Sequence, residues 1–379
     1  MTDSATAAER VPGAAAVRRS GTTPALSLSD PVGAARLLPW RLAISSAVLL
    51  AVLAFVIVIS AAQGPAPVAL PSAAGVMLSR LGLPAPAFTE TDQRIVEQIR
   101  LPRILTGALV GLALGVAGAV LQGLFRNPLA DPGVLGVSGG GALGAVFAVA
   151  TGFAAFHQLA LPASALIGAA GAAFAVYAIG SARGRPGAPT LILAGIAISA
   201  LTGALTAALI SFTEDRERNR EILAWLMGGL DNRGWDHVRL VAAPIALGST
   251  ICLLFGRELN LMLLGEESAR ALGVPVGAAR AALLAVVAAL AGVAVAVSGI
   301  IHFVGLIVPH VVRLVVGYDN RLVVPLSGLA GASFVVAADT LARTLIQPAE
   351  LRVGIITSAL GAPFFIYLIA RGRRDRLPV

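Results

Sequence analysis

The 379-residue chain contains no lysine. A Walker A loop needs its lysine to reach the nucleotide phosphates, so the chain cannot carry such a site. All 28 basic residues are arginine, a usage that with the abundant Ala and Gly fits a GC-rich genome. Cys252 is the single cysteine, which excludes an intrachain disulfide and a thiolate metal cluster. The four histidines, His157, His237, His302 and His310, have no zinc-like spacing, so no metal site is expected. Charge is scarce as well: charged residues make up 13% of the chain and apolar ones 57%. A soluble domain carries about 25% charged residues and less than half apolar. With a mean hydropathy of +0.86, this composition belongs to a chain that crosses a membrane many times. The net charge of +8 is scattered between apolar runs and forms no basic groove for nucleic acid.

What is present is a series of long apolar runs. Residues 1–41 are polar and lack helical periodicity, and are expected to form a disordered cytoplasmic tail; residues 372–379 are expected to form a second, short one. Leu42–Ala62 reads as an uncleaved first span. Ser60-Ala61-Ala62 resembles a cleavage site, but the run is longer than a signal-peptide core. The other runs are Ile104–Leu124, Val134–Phe156, Leu159–Gly180, Pro189–Phe212, Val238–Phe255, Ala278–Ile300, Phe303–Gly317, Val323–Leu341 and Val353–Ala370. All but one can cross a slab of about 30 Å at about 1.5 Å per residue. Phe303–Gly317, which holds Pro309, His310 and Arg313, is expected to be a half-length or interrupted helix. The fold class is therefore all-α integral membrane, with about ten transmembrane helices in a permease domain over 42–371. Placing both termini in the cytoplasm puts sixteen Arg on that side and eleven outside, as positive-inside orientation requires.

Two patterns suggest internal architecture. At an offset of 181 residues, Gly111, Gly118 and Pro128 match Gly292, Gly299 and Pro309. In the topology above the two copies run in opposite directions, as in the inverted repeats of transporters. Small residues also recur every fourth position, at Gly107, Gly111 and Gly115 and at Gly195, Ser199, Gly203 and Ala207. Such stripes let helices approach closely. They read either as internal packing or, for the second, as a face toward a partner copy or a substrate path, with hydroxyls from Ser199, Thr202 and Thr206.

Three segments carry candidate function. Leu124–Gly144 (LFRNPLADPGVLGVSGGGALG) reads as a tight cytoplasmic hairpin rather than a phosphate loop, since no strand precedes it and no Lys serves it. Gly256–Val274 is too polar to span and reads as two short helices broken at Gly265. It is either an ordinary interfacial loop or an apolar knob with a charged rim that docks into a partner's cleft. Arg100, Arg103 and Arg343 lie at expected outer helix ends, either as interfacial anchors or as guanidinium groups for the carboxylates of a soluble partner.

At these residues the chain resembles the iron–siderophore, haem and cobalamin permease family of type II ABC importers. IRLPR, GAVLQGLFRNPLADPGVLGVSGG, LILAGIAIS, LGEESARALGV, GLIVPHVVR, LAGASFVVAADTLAR and LGAPFFIYL are similar to its segments and stand in its order. The resemblance runs from about Arg100 to Arg371. It implies a homodimer of ten-helix subunits in the bacterial inner membrane, working with two cytoplasmic ATPases that hold ATP and Mg, and a soluble substrate-binding protein outside. The chain itself would be no enzyme and would hold no cofactor. It further implies binding-protein docking by Arg100, Arg103 and Arg343, and ATPase coupling through Leu264, Gly265, Glu266, Glu267, Arg270 and Gly273, in coupling helices over about 257–275. The helix with Ser199, Thr202 and Thr206 would line the path. LFRNPLADP and the short GGLDNRGWDHV loop look most like haem permeases, with ferric siderophore or cobalamin as the alternative cargo. An ion-coupled carrier is the rival reading; the nearly apolar mid-span positions give it no ion site.

Overall fold

The computed structural model describes residues 31–182 and 188–374, and every described element is helical. Helix α1 covers Pro31–Ala62, so it starts upstream of the Leu42 expected from hydropathy. Of the expected tails, 1–30 and 375–379 lie outside the described residues. The packing below concerns the unit from Ile44 onward. Two short helices not anticipated from the sequence follow, α2 (Leu70–Arg80) and α3 (Glu90–Arg94). A π-helical turn over Ile95–Arg100 then leads into α4 (Leu101–Phe125). The remaining order is α5 (Val137–Ala150), α6 (Ala160–Ser181), α7 (Ala188–Ser211), α8 (Arg216–Leu226), α9 (Trp235–Leu254), α10 (Gly256–Leu263), α11 (Glu266–Ala271), α12 (Val276–Ser298), α13 (Val304–Val316), α14 (Asn320–Thr344) and α15 (Val353–Arg374).

Seven helices among the described residues are long and apolar enough to cross a bilayer, and three shorter apolar ones, Val137–Ala150, Val304–Val316 and Val353–Leu368, complete the set. The short α13 fits the expectation for that run: thirteen residues rise about 20 Å. The run Val134–Phe156 does not form the full span expected of it. Its helix has fourteen residues, because Gly136 adopts a left-handed conformation (φ 76°) before it and Gly152 another (φ 79°) after it. Helix lengths recur along the chain as long, short, long, long: 25, 14, 22 and 24 residues for α4 to α7, then 23, 13, 25 and 22 for α12 to α15. The repeat is thus one of element order. The residue matches at offset 181 hold only in part: Gly111 and Gly292 both lie within their helices, whereas Gly118 is mid-helix and Gly299 is a helix cap with φ 65°.

Helix α4 is the hub. Lipid offers apolar side chains no drive to associate, so buried membrane helices rely on close backbone approach. A Cβ on Gly111 would stand 2.2 Å from the Gly331 carbonyl of α14, and one on Gly115 would stand 2.1 Å from that of Ser327. This stripe is internal packing. Helix α1 behaves differently: Ile44 and Phe55 are exposed, and burial begins at Ser60, Ala61 and Ala62.

Candidate functional site

The sequence-flagged arginines converge. The π-turn brings Arg100 to the C-terminal end of α1, where its Nη1 donates to the carbonyls of Ala61 (2.6 Å) and Ala62 (2.8 Å) and its Nη2 to that of Ala66. From the last turn of α14, Arg343 donates to the Gln63 carbonyl (2.9 Å) and to Ser60 Oγ (2.7 Å). The two guanidinium groups thus satisfy carbonyls that a helix end leaves without intrahelical donors, at its negative pole. Asp339, one turn before Arg343 in α14, accepts from Arg343 Nε at 3.0 Å and from Arg103 Nη2 at 2.9 Å. Arg103 also reaches Glu350 (2.8 Å) and Asp231 (3.2 Å), and Asp231 pairs with Arg352. Nearby, burial pushes the Arg233 guanidinium down to about 10, assisted by the charge of Arg103.

This geometry shows how the three arginines expected at a docking face are held within the chain. Arg100 and Arg343 are 4% and 3% exposed, and their donors are engaged within the chain. The Arg103 side chain, 11% exposed, already faces three carboxylates. A partner's carboxylate would have to displace these contacts. Neither helix-end position nor the resemblance reveals that neighbouring loops fold over the guanidinium groups. Asp339, the centre of the cluster, was not flagged as its partner, although its spacing of four from Arg343 is that of a helical ion pair.

The cytoplasmic-type segment is the opposite case. Gly265 (φ 112°) separates α10 from α11, a conformation that side-chain-bearing residues rarely adopt. The break leaves Leu264 and Leu272 exposed at 64% and 59%, with Glu267, Arg270 and Gly273 exposed around them. Glu266 turns inward: it accepts from Arg270 (2.8 Å) and pairs with Arg280 of α12. The hydrogen bond from Arg280 holds its carboxyl below the usual range, against a smaller opposing effect of burial. A second clasp comes from Asn260 of α10, which donates to Asp319 (2.6 Å) and accepts from the backbone N–H of Asn320 (2.8 Å) at the start of α14. The knob therefore sits on a fixed base.

The hydroxyls of α7 expected along a path are buried or half-buried against neighbouring helices. Thr202 and Thr206 are buried, and a Cβ on Gly139 of α5 would lie 2.5 Å from Thr202 Oγ1. Thr202 donates to the carbonyls of its own helix at Ile198 and Ser199, and Ser199 is half-buried. The face that α7 leaves exposed is apolar, with Leu193, Ile196, Leu201 and Leu205.

The loop after α4 also differs from a plain surface hairpin. Pro132 lies against Gly305 at the start of α13, beside the Leu114 carbonyl halfway along α4. Residues 128–136 thus return into the bundle before α5 begins. Irregular backbone at this depth is tolerated because protein surrounds it.

Helix order, the paired short helices and the cytoplasmic-type knob define a multi-helix transport subunit. The profile of the FecCD transport family matches residues 48–371, and the chain belongs to that family. It is 42% identical over 353 residues to the cobalamin import system permease protein BtuC of Halobacterium salinarum, covering 85% of this chain and 93% of the relative. It is 45% identical over 282 residues to the hemin transport system permease protein HmuU of Yersinia pestis, covering 73% and 84%. A solved structure described as an inward-facing metal-chelate type ABC transporter superposes with a TM-score of 0.76 at 33% identity, over 85% of this chain and 97% of the other. The chain is accordingly a transport component and not an enzyme.

Proposed function

We propose that the chain is the permease subunit of an ATP-driven importer of a metal chelate, with haem as the cargo. Two copies would form the membrane unit in a bacterial cytoplasmic membrane, with both termini inside, served by two ATPase subunits and by a soluble binding protein outside. The carrying observation is the exposed Leu264–Leu272 knob on its fixed base. An apolar patch rimmed by charge is the form of a protein-docking site, and a chain with no lysine must obtain ATP energy from a partner. On the outer face we infer that the binding protein meets the rim of the arginine cluster, while Arg100, Arg103 and Arg343 hold that rim in shape. The resemblance of LFRNPLADP and GGLDNRGWDHV to haem permeases, together with the hemin permease relative, favours haem. The cobalamin relative covers more of the chain and makes cobalamin the second reading.

The test is reconstitution in liposomes with the cognate ATPase and binding protein. Uptake of haem that requires both partners and ATP is expected. Accumulation by this chain alone under an ion gradient would point to a secondary carrier. ATP-driven uptake of cobalamin without haem would keep the architecture and replace the cargo.

A further inference from the structure

At the end of the bundle that carries the knob, a cavity of about 360 Å³ opens between the end of α4, the end of α10, α13 and the start of α14. Its lining includes Arg126, Arg313, His310 and Tyr318, and no carboxylate. Arg126 makes no ion pair among the described residues. Glu266, the acid whose field it shares, is already engaged by Arg270 and Arg280. Arg313 donates to Gln122 and to the Ala119 carbonyl, both uncharged partners. Two guanidinium charges therefore face one cavity with no counter-ion among the described residues that line it. Asn320 also lines it; the residue is 1% exposed, and its Oδ1 has no hydrogen-bond partner. An orphaned acceptor of this kind is costly unless a donor reaches it.

We propose that this cavity binds the headgroup of a membrane phospholipid, its phosphate between Arg126 and Arg313 and a headgroup hydroxyl or ammonium donating to Asn320 Oδ1. The location fits: Leu314, Val315 and Tyr318 are 70%, 77% and 73% exposed, an apolar surface beside the cavity on which acyl chains can lie. Basic pockets between membrane helices on the cytoplasmic side hold lipid headgroups in this way. The proposal does not depend on the identity of the cargo.

Delipidated full-length protein would be titrated with phosphatidylglycerol and its bound lipids counted by native mass spectrometry. Each Arg near a lipid phosphate is worth about 1 kcal/mol, so Arg126→Gln and Arg313→Gln should each weaken the tightest lipid about fivefold. Arg220→Gln, in an exposed helix elsewhere (side chain 78% exposed), should leave it unchanged. Arg313→Gln also removes the bond to Gln122, so Arg126→Gln, whose side chain has no partner among the described residues, is the decisive variant. Binding by Arg126→Gln as tight as by the parent chain would overturn the proposal. Inorganic phosphate displacing the lipid at comparable concentration would equally overturn it, assigning the cavity to a free anion.

Discussion

The two ends of the bundle use the same residue types for opposite purposes. At the arginine cluster, Arg100, Arg343 and Asp339 are almost fully buried, and they and Arg103 are engaged within the chain. At the α10–α11 end, charges surround leucines that nothing within the chain covers. The difference lies in the solvent each group can reach. A buried ion pair cannot be offered to a partner without leaving a stranded charge, so it fixes shape. An exposed apolar knob gains from being covered, so it recruits. Helices α4 and α14 run between the two ends, pressed together by Gly111 and Gly331, and can carry the state of one end to the other as rigid elements.

Removing the centre of the buried end should have the largest effect. Asp339→Ala leaves Arg103 and Arg343 without their shared carboxylate, and loss of one member of a buried pair costs about 3–5 kcal/mol. Thermal unfolding of the detergent-solubilised protein would register it. If buried charge alone is responsible, Asp339→Leu combined with Arg343→Met should recover much of the loss. A double variant no better than the single one would show that the carbonyl contacts of Arg343 to Gln63 and Ser60 matter more than the ion pair. Next in size is Gly111→Leu, whose side chain must push α14 away at a cost of about 1–3 kcal/mol or more. Gly203→Ala, in the second small-residue stripe where nothing lies within 4 Å, should be close to neutral. A similar loss at both positions would erase the distinction between the stripes.

How much of this was legible beforehand follows the same division. Span-forming runs are written in composition, because the bilayer demands about twenty apolar residues irrespective of neighbours, and all ten runs return as helices. The knob was legible too, since a polar break at Gly265 between leucine-rich pieces is a local signal. The arginines of the cluster stood out in the sequence, but their burial did not. Their burial depends on Ser60 and Gln63, far away in sequence, and on the two separate loops that carry Asp231 and Glu350. The burial of Thr202 and Thr206 was illegible for a related reason: a helix with apolar residues all round gives no hint of which face meets its neighbours. Asn260, with its bonds to Asp319 and Asn320, and the Arg313–Gln122 pair join positions that no spacing rule connects.

At the exposed end the expected effect moves from stability to transport. Leu264→Glu changes a side chain that is 64% exposed, so unfolding should shift by no more than about 0.5 kcal/mol. If the knob seats in the ATPase, a buried charge at its apex should lower ATP-driven uptake by about tenfold or more, with binding-protein docking unchanged. Full uptake with this variant would remove the knob as the contact.

The smallest effect, and the one that joins both halves of the comparison, concerns Glu266, which sits at the exposed end yet is paired as the buried carboxylates are. Its pairing with Arg280 and Arg270 places the folded pKa below the ordinary 4.5. Its contribution to holding α11 is therefore fully present above that ordinary value and is lost as the pH falls through the lower folded one. Because the carboxylate is partly exposed and screened, the amount is below about 1 kcal/mol. Hydrogen exchange of the α11 amides should quicken slightly on acidification into that window, beyond the intrinsic pH trend. Glu266→Gln should show the quickened exchange already at neutral pH, with no further acid step. Glu267→Gln should behave as the parent chain, because Glu267 is exposed and makes no ion pair among the described residues. An acid step that follows Glu267 instead would mean that the rim anchors the knob and the inward carboxylate does not.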